Sequence, residues 1–441
     1  MPVPPRQPLI EAADDWLPHG DLLALHALDP QRYPHLLQSV GGQGMDLLFA
    51  FPEERLSFSV GEGAAFLQAL AERVPASGRG RRGPLPFCGG WFLFLAYELA
   101  GAIEPRLRLP VDPDALPLAR LEHCPAAFVR DRDGRLWAVA PDRARLAAMR
   151  ADARAASSAL ADPGPLPLAD LEEDDPRRFL AGVERIRDYI REGDVFQVNL
   201  SRAWRAGLEP GMASATLFAR LRATNPAPFA ALATWDDQAI ISSSPERLVR
   251  IRGPVVETRP IAGTRPRGLS ADEDSGLSAE LITHPKERAE HVMLIDLERN
   301  DLGRVSRPGS VRVDELMVIE SYAHVHHIVS NVRGELRAGI GPAEVVRAVF
   351  PGGTITGCPK VRCMEIIAEL EGVGRGAYTG SLGWLGYNGD MDLNILIRSL
   401  VRKANGLRFR TGAGIVHDSV PERELAETRH KAEGLLRMFG T

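Results

Sequence analysis

The chain has 441 residues, 44% of them hydrophobic and 25% charged, which is ordinary globular usage and excludes a disordered or fibrous protein. A formal net charge of -5 leaves no whole-chain basic field of the kind that gathers nucleic acid or an anionic membrane surface. The start, Met1-Pro-Val-Pro-Pro-Arg6, lacks a charged-then-apolar signal pattern, and the longest apolar stretch, residues 91–103, is interrupted by Tyr97 and Glu98. Four cysteines, Cys88, Cys124, Cys358 and Cys363, form neither a CxxC pair nor a zinc spacing. The expectation is a reduced, cytoplasmic protein with no disulfide framework and no contact with membrane or nucleic acid.

Residues 47–51 and 136–139 carry a strand pattern, and residues 143–160 are Ala- and Arg-rich at helical spacing. Residues 160–177 (LADPGPLPLADLEEDDPR) collect Pro, Gly and acidic residues. That is the composition of a connection, so it separates an amino-terminal region, 1–165, from a second region, 170–441. Beyond it, residues 178–192 read as a helix, followed by strand-like runs at 195–200, 229–234, 238–242 and 247–251. This order lacks regular βαβ alternation, so the predicted class is α+β.

Four Gly- or Pro-punctuated blocks stand out: SSSPERLV from Ser242, ETRPIAGTRPRG from Glu257, PGGTITGCPKVRCMEI from Pro351 and TGAGIVHDS from Thr411. Glycine lets backbone N–H groups approach an anion with no Cβ in the way, and several such blocks suit a ligand with more than one carboxylate. The run from Gly353 to Lys360 is not a phosphate loop, because Cys358 and Pro359 intervene and Val361 follows the lysine. Nor does a G-x-G-x-x-G follow a strand, so neither an ATPase nor a nicotinamide or flavin enzyme is indicated. Helix-like stretches around Glu287 and Glu290, and around Glu424, Glu427 and Lys431, place carboxylates on one face. Two such helices could hold one Mg²⁺, although Glu427 and Lys431 also read as an ordinary solvated i,i+4 pair.

Taken in order, GDVFQVNLSR, SSSPERL, ETRPIAGTRPRG, ERAEHVMLIDLERNDLGRV, HVHHIVS, FPGGTITGCPKVRCMEII, GDMDLNILIRS, GAGIVHDS and ELAETRHK resemble the chorismate-utilising family. Its members include the component I chains of anthranilate synthase and aminodeoxychorismate synthase, and the isochorismate and salicylate synthases. The resemblance implies two large packed antiparallel sheets with outer helices, and an active site in the carboxyl-terminal part. It implies Mg²⁺ on Glu290 and Glu427 with Glu424 close by, and substrate carboxylates on Arg398, Lys431 and the backbone of Gly412, Ala413 and Gly414. Glu246 is then the expected general acid or base, His327 lies near the ring, and Thr356 joins the catalytic positions. His35 to Ser39 and Phe87 to Trp91 resemble segments lining a tryptophan site, which makes Leu37 and Ser39 its candidate residues.

Members that add water carry a lysine where this chain has Gln197, which points instead to an amine nucleophile. Thr356 and the MDLNILIRS run resemble the members that form the 4-amino product, on the route to 4-aminobenzoate and folate. Ala262, in PIAGT, resembles the anthranilate synthases, which form the 2-amino product; members with PIKGT use that lysine as a covalent nucleophile, and alanine cannot replace it. Trp384 stands where tyrosine is usual, which puts one substrate contact in question. The expected reading is 4-amino-4-deoxychorismate synthesis, with anthranilate synthesis as the alternative and a non-catalytic tryptophan-sensing protein as a remote one. None of the cysteines sits in a G-x-C-x-G elbow, so a separate glutamine amidotransferase subunit is the expected ammonia source.

Overall fold

The computed structural model describes residues 7–40, 44–74, 83–112, 114, 116–156, 158–268, 270–322 and 325–440. Within them the chain forms two large antiparallel sheets, one of twelve strands and one of ten, with helices on their outer faces. This is the predicted α+β architecture. The first sheet runs from Leu9–Ala12 through Asp46–Ala50, His35–Gln38, Phe229–Trp235, Gln238–Ser244, Ser399–Lys403, Gly406–Ile415 and Gln197–Gly207 to Gly357–Cys358. The second runs from Ile261–Pro266 and Val325–Glu335 through Arg247–Arg252, Met391–Asn394, Ser381–Gly386 and Gly90–Leu95 to Arg55–Phe58.

Residues 160–177 mark a connection in sequence but not a boundary in space. His35–Gln38 pairs with Phe229–Trp235, and Gly90–Leu95 pairs with Ser381–Gly386, so each sheet continues from a block of strands of one region into a block of the other. The connection itself contains a strand, Ala169–Glu173, and ends at Pro176, the first residue of a helix running to Arg191. Pro at the first helical position and Asp175, whose carboxylate accepts from the Arg177 N–H, set that start.

Period-2 alternation decides which face each strand buries. In Gly90–Leu95, Phe92 and Phe94 point between the sheets, while Trp91, Leu93 and Leu95 pack outward against the helices Gly63–Arg73 and Pro342–Val349. In Phe229–Trp235, Ala231, Ala233 and Trp235 face inward, and Ala230 and Leu232 face the outer helices. Small alanines on one sheet thus meet large rings on the other. His35 stacks on Phe92 with ring centroids 3.8 Å apart, and its Nε2 lies 3.2 Å from the buried Glu122 carboxylate. Phe92 is fully buried. Phe92→Ala should therefore lose about 3–5 kcal/mol of stability, read as a lowered urea midpoint with an unchanged slope.

Candidate active site

At the carboxyl-terminal end of the first sheet the inner face turns polar. Val198 and Leu200 pack outward against the helices Pro176–Arg191 and Lys360–Glu371, as do Ala413 and Ile415 of the neighbouring strand. The alternate residues, Gln197, Asn199 and Ser201 with Arg410, Gly412 and Gly414, therefore share the face between the sheets. Asn199 pairs with Gly414, and Ser201 with Gly412. Close approach requires glycine at Gly412, where backbone stands in the way of a Cβ, and at Gly414 glycine leaves room for the Gln197 amide. A Cβ on Gly414 would stand 2.3 Å from Gln197 Nε2, and one on Gly412 would meet the Leu200 carbonyl, the Tyr378 hydroxyl and Asn199 Oδ1 at 2.7–2.9 Å. Gln197 Oε1 and Asn199 Oδ1 are buried without a hydrogen-bond partner among the described residues.

Opposite this floor lie Glu246 and His327. Glu246 follows the Gln238–Ser244 strand and is turned by the Ser244 hydroxyl, which accepts from the Glu246 N–H and donates to the Ile395 carbonyl at 2.5 Å. Its carboxyl is buried and Oε1 has no partner among the described residues. Burial pushes its pKa up to about 7, and the Thr354 hydroxyl, the Ile261 backbone, Arg398 and Lys431 offset part of that rise. Near neutral pH this carboxyl can either give or take a proton.

His327 lies on Val325–Glu335, with Nδ1 3.0 Å from the Thr264 hydroxyl and 3.4 Å from the Gly263 carbonyl. Because that carbonyl can only accept, we assign the hydrogen to Nδ1, leaving a lone pair on the buried Nε2, which has no partner among the described residues. Burial, then the Arg398 charge, lowers its pKa to about 3, so at neutral pH it acts as a neutral imidazole, through hydrogen bonds. Arg398 and Lys431 act on both Glu246 and His327, which gathers these four side chains into one site.

Arg398 sits at φ 50°, in the left-handed region that a non-glycine residue adopts only under constraint, and Ser243 holds its carbonyl through both N–H and hydroxyl. Its guanidinium hydrogen-bonds to none of the described residues, and burial lowers its pKa. Lys431, on the Pro421–Leu436 helix, donates to the Gly412 carbonyl at 2.9 Å and pairs with Glu427 at 2.7 Å. It thus reaches from the half-exposed i,i+4 pair to the glycine floor. Thr356 is fully buried, and its hydroxyl donates to the Gly352 carbonyl at 2.9 Å, closing its own turn. Ala413, between the two glycines, faces the outer helices, so only its backbone belongs to the floor.

Glu290 lies on the Pro285–Gly303 helix, and Glu424 and Glu427 lie on Pro421–Leu436. Among the described residues no three His, Cys, Asp or Glu side chains gather into a ready metal cage. Hard carboxylates from two helices still suit Mg²⁺, which takes one or two from protein and completes its shell with water and ligand oxygens.

Several residues at the site are invisible to motif reading. Tyr378, buried with its hydroxyl against Gly412, lies in RGAYTG, a segment that reads as a plain turn. Glu298, two turns beyond Glu290, is buried against the Gly353 N–H at 3.3 Å; burial, then Asp301, raises its pKa to about 8. Asp301 in turn pairs with Lys360. Trp384 lies elsewhere, against Phe87 in the inter-sheet core, where it lines a cavity of about 1100 Å³ together with Leu37, Ser39 and Phe229. That cavity is walled by none of Glu246, His327, Arg398, Gly412 or Lys431.

The model of the chorismate binding enzyme family matches residues 37–437. The chain belongs to this family. It is 54% identical over 259 residues to "Aminodeoxychorismate synthase component 1" of Bacillus subtilis (strain 168), covering 59% of this chain and 55% of that protein, so it spans just over half that relative's length. It is 42% identical over 355 residues to "Anthranilate synthase component I-like protein" of Synechocystis sp., covering 80% of this chain and 73% of that one. Anthranilate synthase component I from Streptococcus pneumoniae TIGR4 superposes with a TM-score of 0.80 at 31% identity, over 90% of this chain and 93% of that chain. Among the described residues no helix is long and apolar enough to cross a membrane.

Two outcomes test the site as built. Gly414→Ala should keep the fold, since the strand φ there is ordinary, yet cut kcat/KM by at least about 10²-fold, the scale of a 1 Å misplacement; circular dichroism and steady-state kinetics read both. Glu246 ionises near 4.5 when unfolded and near 7 when folded, so its burial costs stability as pH rises from about 4.5 through about 7. Glu246→Gln removes that cost. Its urea midpoint should rise relative to the unaltered chain at pH 8 and change less at pH 5.

Proposed function

We propose that the chain aminates chorismate to 4-amino-4-deoxychorismate, with ammonia released from glutamine by a partner amidotransferase subunit and with Mg²⁺ on Glu290 and Glu427, Glu424 close by. The observation that carries the amine reading is the pair of amides. Gln197 Oε1 and Asn199 Oδ1 are buried acceptors with no partner among the described residues, able to orient a small donor, and with an amide and no amine at position 197 there is no base there to activate water, whereas ammonia needs none.

In this reading Arg398, Lys431 and the Gly412–Gly414 backbone bind the substrate carboxylates, the free guanidinium taking one as a two-pronged fork. Glu246, holding its proton up to about pH 7, passes it to the departing hydroxyl. The neutral His327 hydrogen-bonds beside the ring and orients the hydroxyl. Bound Mg²⁺ would supply neutralisation of a ring carboxylate. Ala262, 8% exposed on Ile261–Pro266, offers only a methyl group, so ammonia adds to the ring directly rather than displacing a covalent lysine. The 4-amino product is supported by the likeness to the Bacillus subtilis protein, and a place in 4-aminobenzoate and folate synthesis is proposed from that product. Ala262 and the anthranilate synthase likenesses favour a second reading, the 2-amino product. The inter-sheet cavity at Leu37 and Ser39 is our candidate tryptophan site.

Incubation with chorismate, Mg²⁺ and ammonium salt, with and without aminodeoxychorismate lyase, decides between products. Lyase-dependent 4-aminobenzoate is expected, and 2-aminobenzoate without lyase would move the chain to the second reading. Glu290→Ala and Glu427→Ala should each abolish Mg²⁺-dependent turnover; near-normal rates would remove the metal assignment.

A further inference from the structure

Beneath the glycine floor lies a charge cluster that the chemistry above does not use. Glu371, the last residue of Lys360–Glu371, is buried to 1% side-chain exposure beside Arg375, also at 1%, and Arg410, at 3%. Its Oε1 accepts from Arg375 Nη2 at 2.6 Å, from the Ser201 N–H at 2.9 Å and from the Ser201 hydroxyl at 2.8 Å; Oε2 accepts from Arg375 Nε at 3.1 Å and Arg410 Nη2 at 2.8 Å. The two guanidiniums hold its pKa below the ordinary value against the upward push of burial.

Arg375 places all of its donors. Beyond Glu371 it reaches the Asn199 carbonyl at 2.8 Å, the Ile355 carbonyl at 3.2 Å and the Thr379 hydroxyl at 3.3 Å. Glu98, from the amino-terminal region, fixes its backbone by accepting from the Arg375 N–H at 2.6 Å and the Gly376 N–H at 3.2 Å. Each segment it holds carries a site residue one position away or less: Asn199 itself, Thr354 and Thr356 on either side of Ile355, and Tyr378 before Thr379. Arg410 sits two residues before Gly412 on the same strand face.

Three buried charges are a poor choice if stability were the only purpose, because well-packed apolar residues of the same volume do as well or better. What a guanidinium adds is direction, in a rigid fork of five donors. We propose that Arg375, oriented by Glu371, is a positioning residue for the chorismate reaction, holding the Asn199 strand, the Thr354–Thr356 turn and Tyr378 at one fixed spacing. Arg375 touches neither Arg398 nor Lys431 nor the carboxylate-bearing helices. Its loss therefore disturbs the amide side of the site first and leaves in place Arg398 and Lys431, the two cations that would bind the substrate carboxylates. The inference rests on chorismate turnover and not on which ring carbon receives nitrogen.

The test is Arg375→Lys in the full chain, which keeps the positive charge opposite Glu371 and loses the fork. Chorismate disappearance is followed with Mg²⁺ and ammonium salt at a temperature where circular dichroism shows the variant native. Because loss of chorismate is scored whichever product forms, a wrong assignment of ring position leaves the test intact. The expected result is a kcat lower by about 10²-fold with KM for chorismate within about threefold. A bridge that served stability alone would lower Tm and leave kcat of the folded enzyme within about threefold, and that result overturns the proposal. Should Arg375→Lys fail to fold, Thr379→Val removes the Arg375 acceptor together with the hydroxyl's own bond to the Tyr378 carbonyl, and Thr379→Ser, which keeps a hydroxyl for both, is the control. A several-fold fall in kcat at unchanged KM then supports the proposal, and an unchanged kcat overturns it.

Discussion

The pairing of Gln197–Gly207 with Gly406–Ile415 sets two amide side chains directly on two glycines, and the rest of the site is arranged around that contact. Bare backbone at Gly412 and Gly414 is what lets Gln197, Asn199 and Tyr378 come close, and it leaves the Gly412 carbonyl open to Lys431. The outer face of the same strands is apolar against the Pro176–Arg191 and Lys360–Glu371 helices, so a one-residue slip in register would turn the amides into that apolar layer and Val198 and Leu200 toward the site. Register and chemistry are therefore fixed together.

Burial between the sheets also sets the electrostatics. The low-dielectric surroundings that raise the Glu246 carboxyl to about 7 hold the His327 imidazole neutral, so in the proposed reaction proton transfer is assigned to the carboxyl and orientation to the ring. The Arg398 guanidinium, without a hydrogen-bond partner among the described residues, and Lys431 lower the cost of ionising Glu246 and raise that of charging His327. A ligand carboxylate arriving at these two cations would weaken both effects. Substrate binding and the proton inventory of the site are thus coupled.

The glycine blocks and the carboxylate-bearing helices were legible because their signals are local: a missing Cβ, or a three-residue spacing, has the same meaning wherever it occurs. Charge pairs were not. Glu427–Lys431 and Glu371–Arg375 share the i,i+4 spacing, yet the first pair is 48% and 41% exposed and the second is 1% on both sides. What separates them is the sheet that covers the second pair, and strand pairing across hundreds of residues leaves no trace in a seven-residue window. The same reason hides Tyr378, Asn199 and Glu98, whose meaning comes from the strands facing them. It also explains why an acidic, Pro-rich connection at 160–177 marks a surface crossing while both sheets continue across the two regions, since sequence composition responds to solvent and not to topology.

The central claim is that chorismate is held at the glycine floor and not in the cavity near Leu37. The most direct measurement is a crystal structure of the Glu246→Gln chain with chorismate and Mg²⁺. The account predicts the substrate carboxylates on Arg398, Lys431 and the Gly412–Gly414 backbone, with density for a metal ion between Glu290 and Glu427. Chorismate in the cavity beside Ser39 and Trp384, with the glycine floor empty, would contradict it.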